Sequence, residues 1–143
     1  DGFKWKEDEL IVLVSAHHHL AGRSEVDPQE LIAEKWVFRE KGSGTRMVTE
    51  DMLASLGIRT VDLDIQMEVG STEAVASAVE AQIGLALVSQ YVASQWTRND
   101  KLVALRIAGG RAKRDIYVIY PRQKNRRRTV DNFLDFLKTD STQ

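Results

Sequence analysis

The sequence predicts an α/β fold with mixed sheets flanked by helices, and two patterns carry the prediction. The first is a pair of continuous apolar runs bounded by polar residues, over 9–15 and 83–88, which is the form of a strand buried on both faces. The second is a repeated order of elements, in which strands over 35–40 and 62–69 each lead through a turn into a helix. Strands that alternate with helices in this way are typical of α/β sheets.

Composition places the chain among globular proteins. Its 143 residues are 43% hydrophobic and 29% charged, with a formal net charge of −1, which suits one domain or two small lobes. The absence of cysteine excludes disulfides and thiolate metal sites. No apolar run is long enough for a membrane span, and the polar start Asp1–Lys6 lacks signal-peptide character. The sequence therefore predicts a cytoplasmic protein without a membrane partner.

The segment 9–15 is expected to be a central strand, because it is apolar between charged ends. His17, His18 and His19 follow it. Imidazole is a common metal ligand, but adjacent side chains of an extended segment point to opposite sides. We therefore predict an exposed loop here and no metal site.

Start and stop signals set the boundaries of the predicted helices. Asp27 as N-cap, Pro28 at the first helical position and Glu30 three residues after the cap predict a short helix that ends near Glu34. Gly57 is expected to cap the carboxyl end of a helix over 45–56. The remaining predicted elements are a helix over 72–82, a helix capped by Ser89 and running through Trp96, strands over 101–107 and 112–120 around a turn at 108–111, and an amphipathic helix over 129–138 with Val130, Phe133, Leu134 and Leu137 on one stripe.

The turn after the strand over 35–40 is the first candidate binding site. Glycines without a Cβ leave backbone amides accessible, and the first turn of a helix presents unpaired N–H groups at its positive end, so such a turn attracts anions. Hydroxyls can cap the helix or donate to a ligand, and a guanidinium can fork onto a carboxylate or a phosphate. The candidate residues are Gly42, Ser43, Gly44, Thr45 and Arg46.

A second turn of the same kind follows the strand over 62–69, with the candidate residues Gly70, Ser71 and Thr72. Both turns are expected at the carboxyl ends of their strands, which is where open α/β sheets bind ligands. A small molecule that bears a carboxylate could therefore bridge the two turns.

Basic residues are concentrated late in the chain, where ten of the twenty lie between Lys101 and Arg128. Such a cluster can indicate nucleic-acid binding. We favour a solvated hairpin and loop, because these residues are scattered over strand ends and a loop rather than placed on one helix face.

Four segments in register resemble the effector-binding domain of LysR-type transcriptional regulators. They are Asp8–Val14 with His18 and Leu20–Ala21, Arg39–Arg46, Glu68–Val75 and Ile83–Val88. The resemblance implies a periplasmic-binding-protein-like (type II) fold of two lobes with a small effector in the cleft between them. Carried over residue by residue, it assigns effector contacts to the same two turns, 42–46 and 70–72.

The resemblance also implies a domain organisation. Residues 16–88 would be a complete second lobe, and residues 1–15 and 89–143 a partial first lobe with the crossing strands, because the family's first half of that lobe has no counterpart before Glu7. The family works as dimers or tetramers and binds DNA through an N-terminal winged helix-turn-helix that these residues do not contain. His19 stands where the family usually has proline, so the resemblance does not fix the exact shape of the crossing loop.

The function that the sequence predicts is a non-enzymatic sensing domain for a small, anionic metabolite, without a cofactor. The alternative is a solute-binding protein of a transport system, which shares the fold. An enzyme is disfavoured, because Gly42-Ser43-Gly44 is not a nucleophile elbow and no carboxylate pair is placed for acid–base work.

Overall fold

A computed structural model of the chain describes residues 1–110, 112–122 and 127–141. Its strands are β1 (Gly2–Ser15), β2 (Glu25–Val26), β3 (Lys35–Arg39), β4 (Asp64–Val69), β5 (Ala86–Ser89), β6 (Leu102–Ile107) and β7 (Lys113–Ile119). Its α-helices are α1 (Gly44–Ser55), α2 (Thr72–Glu80), α3 (Gln90–Trp96) and α4 (Arg128–Asp140), and 3₁₀ turns cover Pro28–Ala33, Thr60–Asp62, Thr97–Asn99 and Ala108–Gly110. No helix in these described ranges has the length and apolar character that a membrane crossing needs.

The chain divides into two compact units. Glu9–Ala112 form the central unit, and Asp1–Asp8 with Lys113–Gln143 form the terminal unit. The central unit therefore contains residues 9–15 and 89–112 as well as residues 16–88. The division into lobes that the sequence suggested stays a prediction.

A mixed sheet organises the central unit, as predicted. β1 lies at its centre and pairs antiparallel with β5 on one side and with β6 on the other, so that Val12 faces both Leu87 and Leu105. β2 adds to β6 in parallel, and β3 pairs in parallel with β4. Leu85 joins these parts, because its N–H donates to the Lys35 carbonyl and its carbonyl accepts from the Val37 N–H, both at 2.8 Å.

Gly84 makes the junction between β3 and β5 possible. A Cβ built on this residue would lie 2.7 Å from the Lys35 carbonyl oxygen. Any side chain here would push the two backbones apart, since this distance is far inside van der Waals contact.

The sheet of the central unit is covered on both faces, which explains its continuous apolar runs. Val12 and Val14 pack with Leu53 of α1 in one core, whereas Leu13 packs with Val79 of α2 in the other. Neighbouring residues of β1 point to opposite faces of the sheet, so each face receives alternate residues.

The terminal unit is thinner. β7 pairs with β1, and α4 buries Leu134 but leaves Phe133 and Phe136 exposed. The predicted apolar stripe of α4 is therefore only partly buried. The Asp8 carboxylate is fully buried; its Oδ2 accepts from Arg114 Nε at 2.9 Å and lies 2.7 Å from Nη2 in the same ion pair.

Several boundaries differ from the prediction. β1 begins at Gly2 rather than at 9, because Phe3 and Trp5 alternate with lysines in a strand pattern. β5 begins at 86 rather than 83, because Gln82 adopts a φ of +62° and the Ile83 N–H returns to the Ala78 carbonyl. The helix that Asp27 caps is a 3₁₀ turn with the expected capping box.

Candidate functional site

The first candidate turn connects β3 to α1. Ser43 caps the helix, since its Oγ accepts from the Arg46 N–H at 3.3 Å. Gly42 adopts a φ of +90°, a conformation that favours glycine. The Glu40 N–H donates to the Val69 carbonyl at 3.0 Å and so ties the turn to the end of β4.

The second candidate turn connects β4 to α2 and is built in the same way. Ser71 caps α2, since its Oγ accepts from the Ala74 N–H at 3.1 Å. Because β3 and β4 are parallel, both turns lie at the same edge of the sheet. Within the described ranges, no hydrogen bond is found for the N–H groups of the first two residues of either helix, Gly44, Thr45, Thr72 and Glu73.

A small cavity lies between the starts of α1 and α2. Its volume is about 20 Å³, which is room for about one water molecule. Thr45 and Thr49 of α1 and Thr72 of α2 contribute hydroxyl-bearing side chains to it, and Arg39 contributes a charged one. The remaining wall is formed by β3, β5 and Val75. Two separate helix starts therefore line one cavity.

Arg39, which was not among the residues predicted from the sequence, joins the two turns. Its Nη1 donates to Thr72 Oγ1 at 3.1 Å, while Nε and Nη2 donate to the two carboxylate oxygens of Glu40 at 3.0 and 3.2 Å. The hydrogen bonds from Arg39 lower the pKa of Glu40 below its ordinary value, so this carboxylate is charged at neutral pH. The available signal was the position of Arg39 as the last residue of β3, directly before the turn.

Arg46 has a different environment from the one that the sequence suggested. Its guanidinium is buried and donates to Glu50 at 2.8 Å and to Glu68 at 2.7 Å, and Nη1 also donates to the Arg39 carbonyl at 3.0 Å. Burial acts to lower the pKa of Arg46, but the hydrogen bonds that it donates to Glu68 and Glu50 raise it overall. The guanidinium also lies 5.2 Å from the Phe38 ring centre, so it ties α1 to β3 and β4.

A larger groove of about 380 Å³ opens beside the first turn. Its lining residues are Lys41, Gly42, Ser43, Arg46, Met47 and Glu50. The predicted residues thus divide into three sets: Thr45 and Thr72 line the cavity, Gly42, Ser43 and Arg46 line the groove, and Gly44, Gly70 and Ser71 shape the turns. Their role as effector contacts stays a prediction.

The interpretation of the histidine segment assumed an extended chain, but the segment forms turns. Residues 16–22 form turns, and the rings of His18 and His19 stack with their centres 4.5 Å apart. Their Nε2 atoms lie 3.3 and 2.6 Å from the two oxygens of Glu34, so the premise that adjacent side chains point apart was wrong for His18 and His19.

The geometry of this cluster nevertheless suits hydrogen bonds better than a metal ion. His18 Nδ1 accepts from the Leu20 N–H at 3.1 Å, which places the proton of a neutral ring on Nε2, the atom that faces Glu34. Burial lowers the pKa of His18 and so favours this neutral form. A metal at Nε2 would require the proton on Nδ1 instead, opposite the Leu20 N–H.

Five of the seven late basic residues that the structure describes are paired with acidic ones. Arg106 binds Glu9, Lys113 lies 3.1 Å from Glu7, and Lys101 lies 3.0 Å from Glu80. These pairs favour the interpretation as a solvated surface. Arg111, Lys124 and Arg126 lie outside the described residues.

The fold and the paired turns define a ligand-binding α/β domain. Residues 2–141 match the family described as "LysR substrate binding domain". The chain belongs to this family, and the recognition made from the four sequence segments is confirmed.

The relatives are transcriptional regulators. The chain is 30% identical over 131 residues to the "HTH-type transcriptional activator CmpR" of Synechocystis sp., covering 92% of this chain and 42% of CmpR. It is 32% identical over 132 residues to the "Uncharacterized HTH-type transcriptional regulator YeiE" of Escherichia coli, covering 92% of this chain and 44% of YeiE. The chain thus spans less than half the length of these relatives.

A solved structure gives the same result. The regulatory domain of CcmR from Synechocystis PCC6803, in complex with 2-PG, superimposes with a TM-score of 0.83 and 27% identity, over 99% of this chain and 66% of that chain. The predicted α/β fold of the effector-binding domain is confirmed. The homologues are transcriptional regulators rather than enzymes, and the alternative of a transport solute-binding protein is set aside.

Proposed function

We propose that this chain senses a small anionic metabolite for a LysR-type transcriptional regulator and binds it at the turns 42–46 and 70–72. The observation that carries the proposal is that Thr45 and Thr72, from two different helices, line one cavity. A hydroxyl or carboxylate oxygen of the ligand would replace about one water there, while the exposed amides of both helix starts stabilise its charge.

The class of ligand follows from the chemistry of these turns. Backbone N–H groups, hydroxyls and a guanidinium are all donors, so they favour a ligand rich in acceptor oxygens, such as a carboxylate. 2-PG, which is bound to the CcmR domain, is therefore the first probe to use.

The remaining parts of the proposal concern the whole protein. Ligand binding would act through a homodimer or tetramer on DNA, and the DNA would be bound by a helix-turn-helix domain of the kind for which the relatives are named. A regulator of DNA of this kind would work in the cytoplasm. The ligand can shift such an equilibrium only by the difference between its affinities for the two states.

Calorimetric titration of the chain with 2-PG and a panel of small organic acids tests the site. Thr45→Val and Thr72→Val keep the shape of the side chains but remove a hydroxyl each, and we expect each to weaken the best hit about five- to tenfold. Thr97→Val removes a hydroxyl whose partner is the Ala93 carbonyl inside a helix, so it should leave the affinity unchanged. Equal affinity of all four proteins for every hit would show that the turns are not the site.

A further inference from the structure

We propose that Arg39 is the anion-binding and specificity-determining guanidinium of this site, and that Glu40 occupies it until an anionic effector takes its place. The inference rests on the proposed function and deepens it. It assigns to Arg39 the role that the sequence suggested for Arg46, and it adds a competing carboxylate from the chain itself.

The two arginines near the turns differ in the number and position of their partners. Arg46 holds two carboxylates, Glu50 and Glu68, that come from α1 and β4, together with a backbone carbonyl. Its side chain is 7% exposed, whereas Glu50 and Glu68 reach water, so release would expose a buried guanidinium and break contacts between three elements. Arg46 is therefore a structural clamp.

Arg39 is held less firmly by the rest of the fold. Its carboxylate partner is its own neighbour Glu40, whose side chain is 47% exposed. A carboxylate with a half-exposed side chain loses little free energy when it leaves the guanidinium, because water replaces its hydrogen bonds. An incoming anion can thus take both donors that Glu40 now occupies.

The Arg39 guanidinium borders the small cavity together with Thr45 and Thr72, and its Nη1 already donates to Thr72 Oγ1. Nε and Nη2, which point to Glu40, form the planar fork that matches two oxygens of a carboxylate or phosphate. A ligand anchored in the cavity would place a second oxygen pair against this fork.

Glu40 mimics such a ligand. Its two oxygens bind the fork at 3.0 and 3.2 Å, which is the bidentate geometry that an effector carboxylate would adopt. Displacing this carboxylate reduces the net free energy of ligand binding, so Glu40 raises the concentration of effector at which the site fills. Neutral metabolites cannot replace it and are rejected.

The test uses the two halves of this one ion pair. Arg39→Lys keeps the charge but removes the fork, and we expect it to weaken anion binding about tenfold. Glu40→Gln removes the competitor, and we expect it to tighten binding about threefold to tenfold. Both variants break the same pair and should lose similar stability, so a purely structural role predicts changes of the same sign.

Two controls separate the exchange from general charge effects. Glu73→Gln removes an exposed carboxylate in the first turn of α2 whose charge also acts on Arg39, so an equal gain in this variant would show general charge repulsion instead of exchange and overturn the proposal. Arg59 and Asp62 form a similar forked pair with bonds of 2.9 and 3.0 Å, and Arg59→Lys and Asp62→Asn should leave binding unchanged.

The probes are 2-PG, inorganic phosphate and malonate, each titrated into the folded chain and its variants up to millimolar concentrations. Opposite shifts for Arg39→Lys and Glu40→Gln support the exchange. If a probe binds and the threonine variants weaken it, but the two shifts are not opposite, the exchange is overturned and the sensing site stands. If none of the three anions binds either the wild type or Glu40→Gln, the exchange is also overturned, and the wider metabolite panel decides the sensing function separately.

Discussion

The central and terminal units of the chain differ in how completely they bury their apolar side chains. Trp36, Leu13 and Leu53 of the central unit are fully buried, because helices cover both faces of its sheet. In the terminal unit Ile119 is 83% exposed and Phe136 is 65% exposed, since one helix and two paired strand segments cannot enclose them. The candidate site is therefore built on the better-packed unit.

Truncation of a core side chain gives the largest expected contrast between the units. Trp36→Ala should lower the free energy of unfolding by about 3 to 5 kcal/mol, because it leaves a cavity and removes the hydrogen bond from Nε1 to the Leu31 carbonyl. Phe136→Ala should stay within about 0.5 kcal/mol. Urea denaturation measures both.

Leu53→Ala serves as a milder core variant if Trp36→Ala does not fold, with an expected loss of about 2 to 5 kcal/mol. Amide hydrogen exchange on the wild type should also show stronger protection in β1 residues 10–14 than in β7. Equal losses for core and exposed variants would contradict the comparison.

Two glycines give a matched pair with an intermediate effect. A Cβ would lie 2.7 Å from the Lys35 carbonyl oxygen at Gly84 and 2.8 Å from the Val118 carbonyl oxygen at Gly2. Gly84→Ala should cost about 2 to 3 kcal/mol, because strands packed on both faces cannot move apart. Gly2→Ala should cost less than about 1 kcal/mol, since the end of an exposed strand can shift. Thermal unfolding of the two variants decides the order, and a larger loss for Gly2→Ala would refute it.

Loss of the Arg46 clamp should lower the free energy of unfolding less than either Trp36→Ala or Leu53→Ala. Arg46→Met should lower the free energy of unfolding by about 1 to 2 kcal/mol. It removes the donor of three hydrogen bonds, but Glu50 and Glu68 remain in contact with water. Arg122→Met in the terminal unit, where Arg122 binds Asp1 at the surface, should stay within about 0.5 kcal/mol. Denaturant midpoints of both variants check the difference, which would be absent if the Arg46 network were as loose as a surface pair.

The smallest effects concern pH. Arg23 and the Asp27 N–H lower the pKa of Glu30 from 4.5 to about 2. A carboxyl whose pKa is lower in the folded chain stabilises it above its ordinary pKa, and this stabilisation is lost as the pH falls from about 4.5 towards 2. The stability difference between wild type and Glu30→Gln should therefore shrink over this range.

Lys6 also lowers the pKa of Asp140 in the terminal unit. The stability difference between wild type and Asp140→Asn should therefore also shrink on acidification, beginning at lower pH. Urea titrations at several pH values measure both differences, and a difference that grows on acidification would contradict the sign.

Local patterns predicted most of the elements correctly. The spacing of Asp27, Pro28 and Glu30 gave the capping box, and Ser89 caps α3 as expected. These signals depend on neighbours in the sequence, so they can be read without the fold. The start of β1 was missed, because its first residues alternate charged and aromatic side chains and were interpreted only as polar.

The sequence by itself determined the family and the two turns, since glycine and hydroxyl spacing at a strand end fixes the backbone that can form there. The tertiary structure decided which partners each arginine has and which histidines meet. Arg46 is occupied because β4 brings Glu68 to it, and His18 and His19 converge because their segment turns back towards Glu34. Contacts between residues far apart in sequence depend on strand order and register, and no local pattern encodes these.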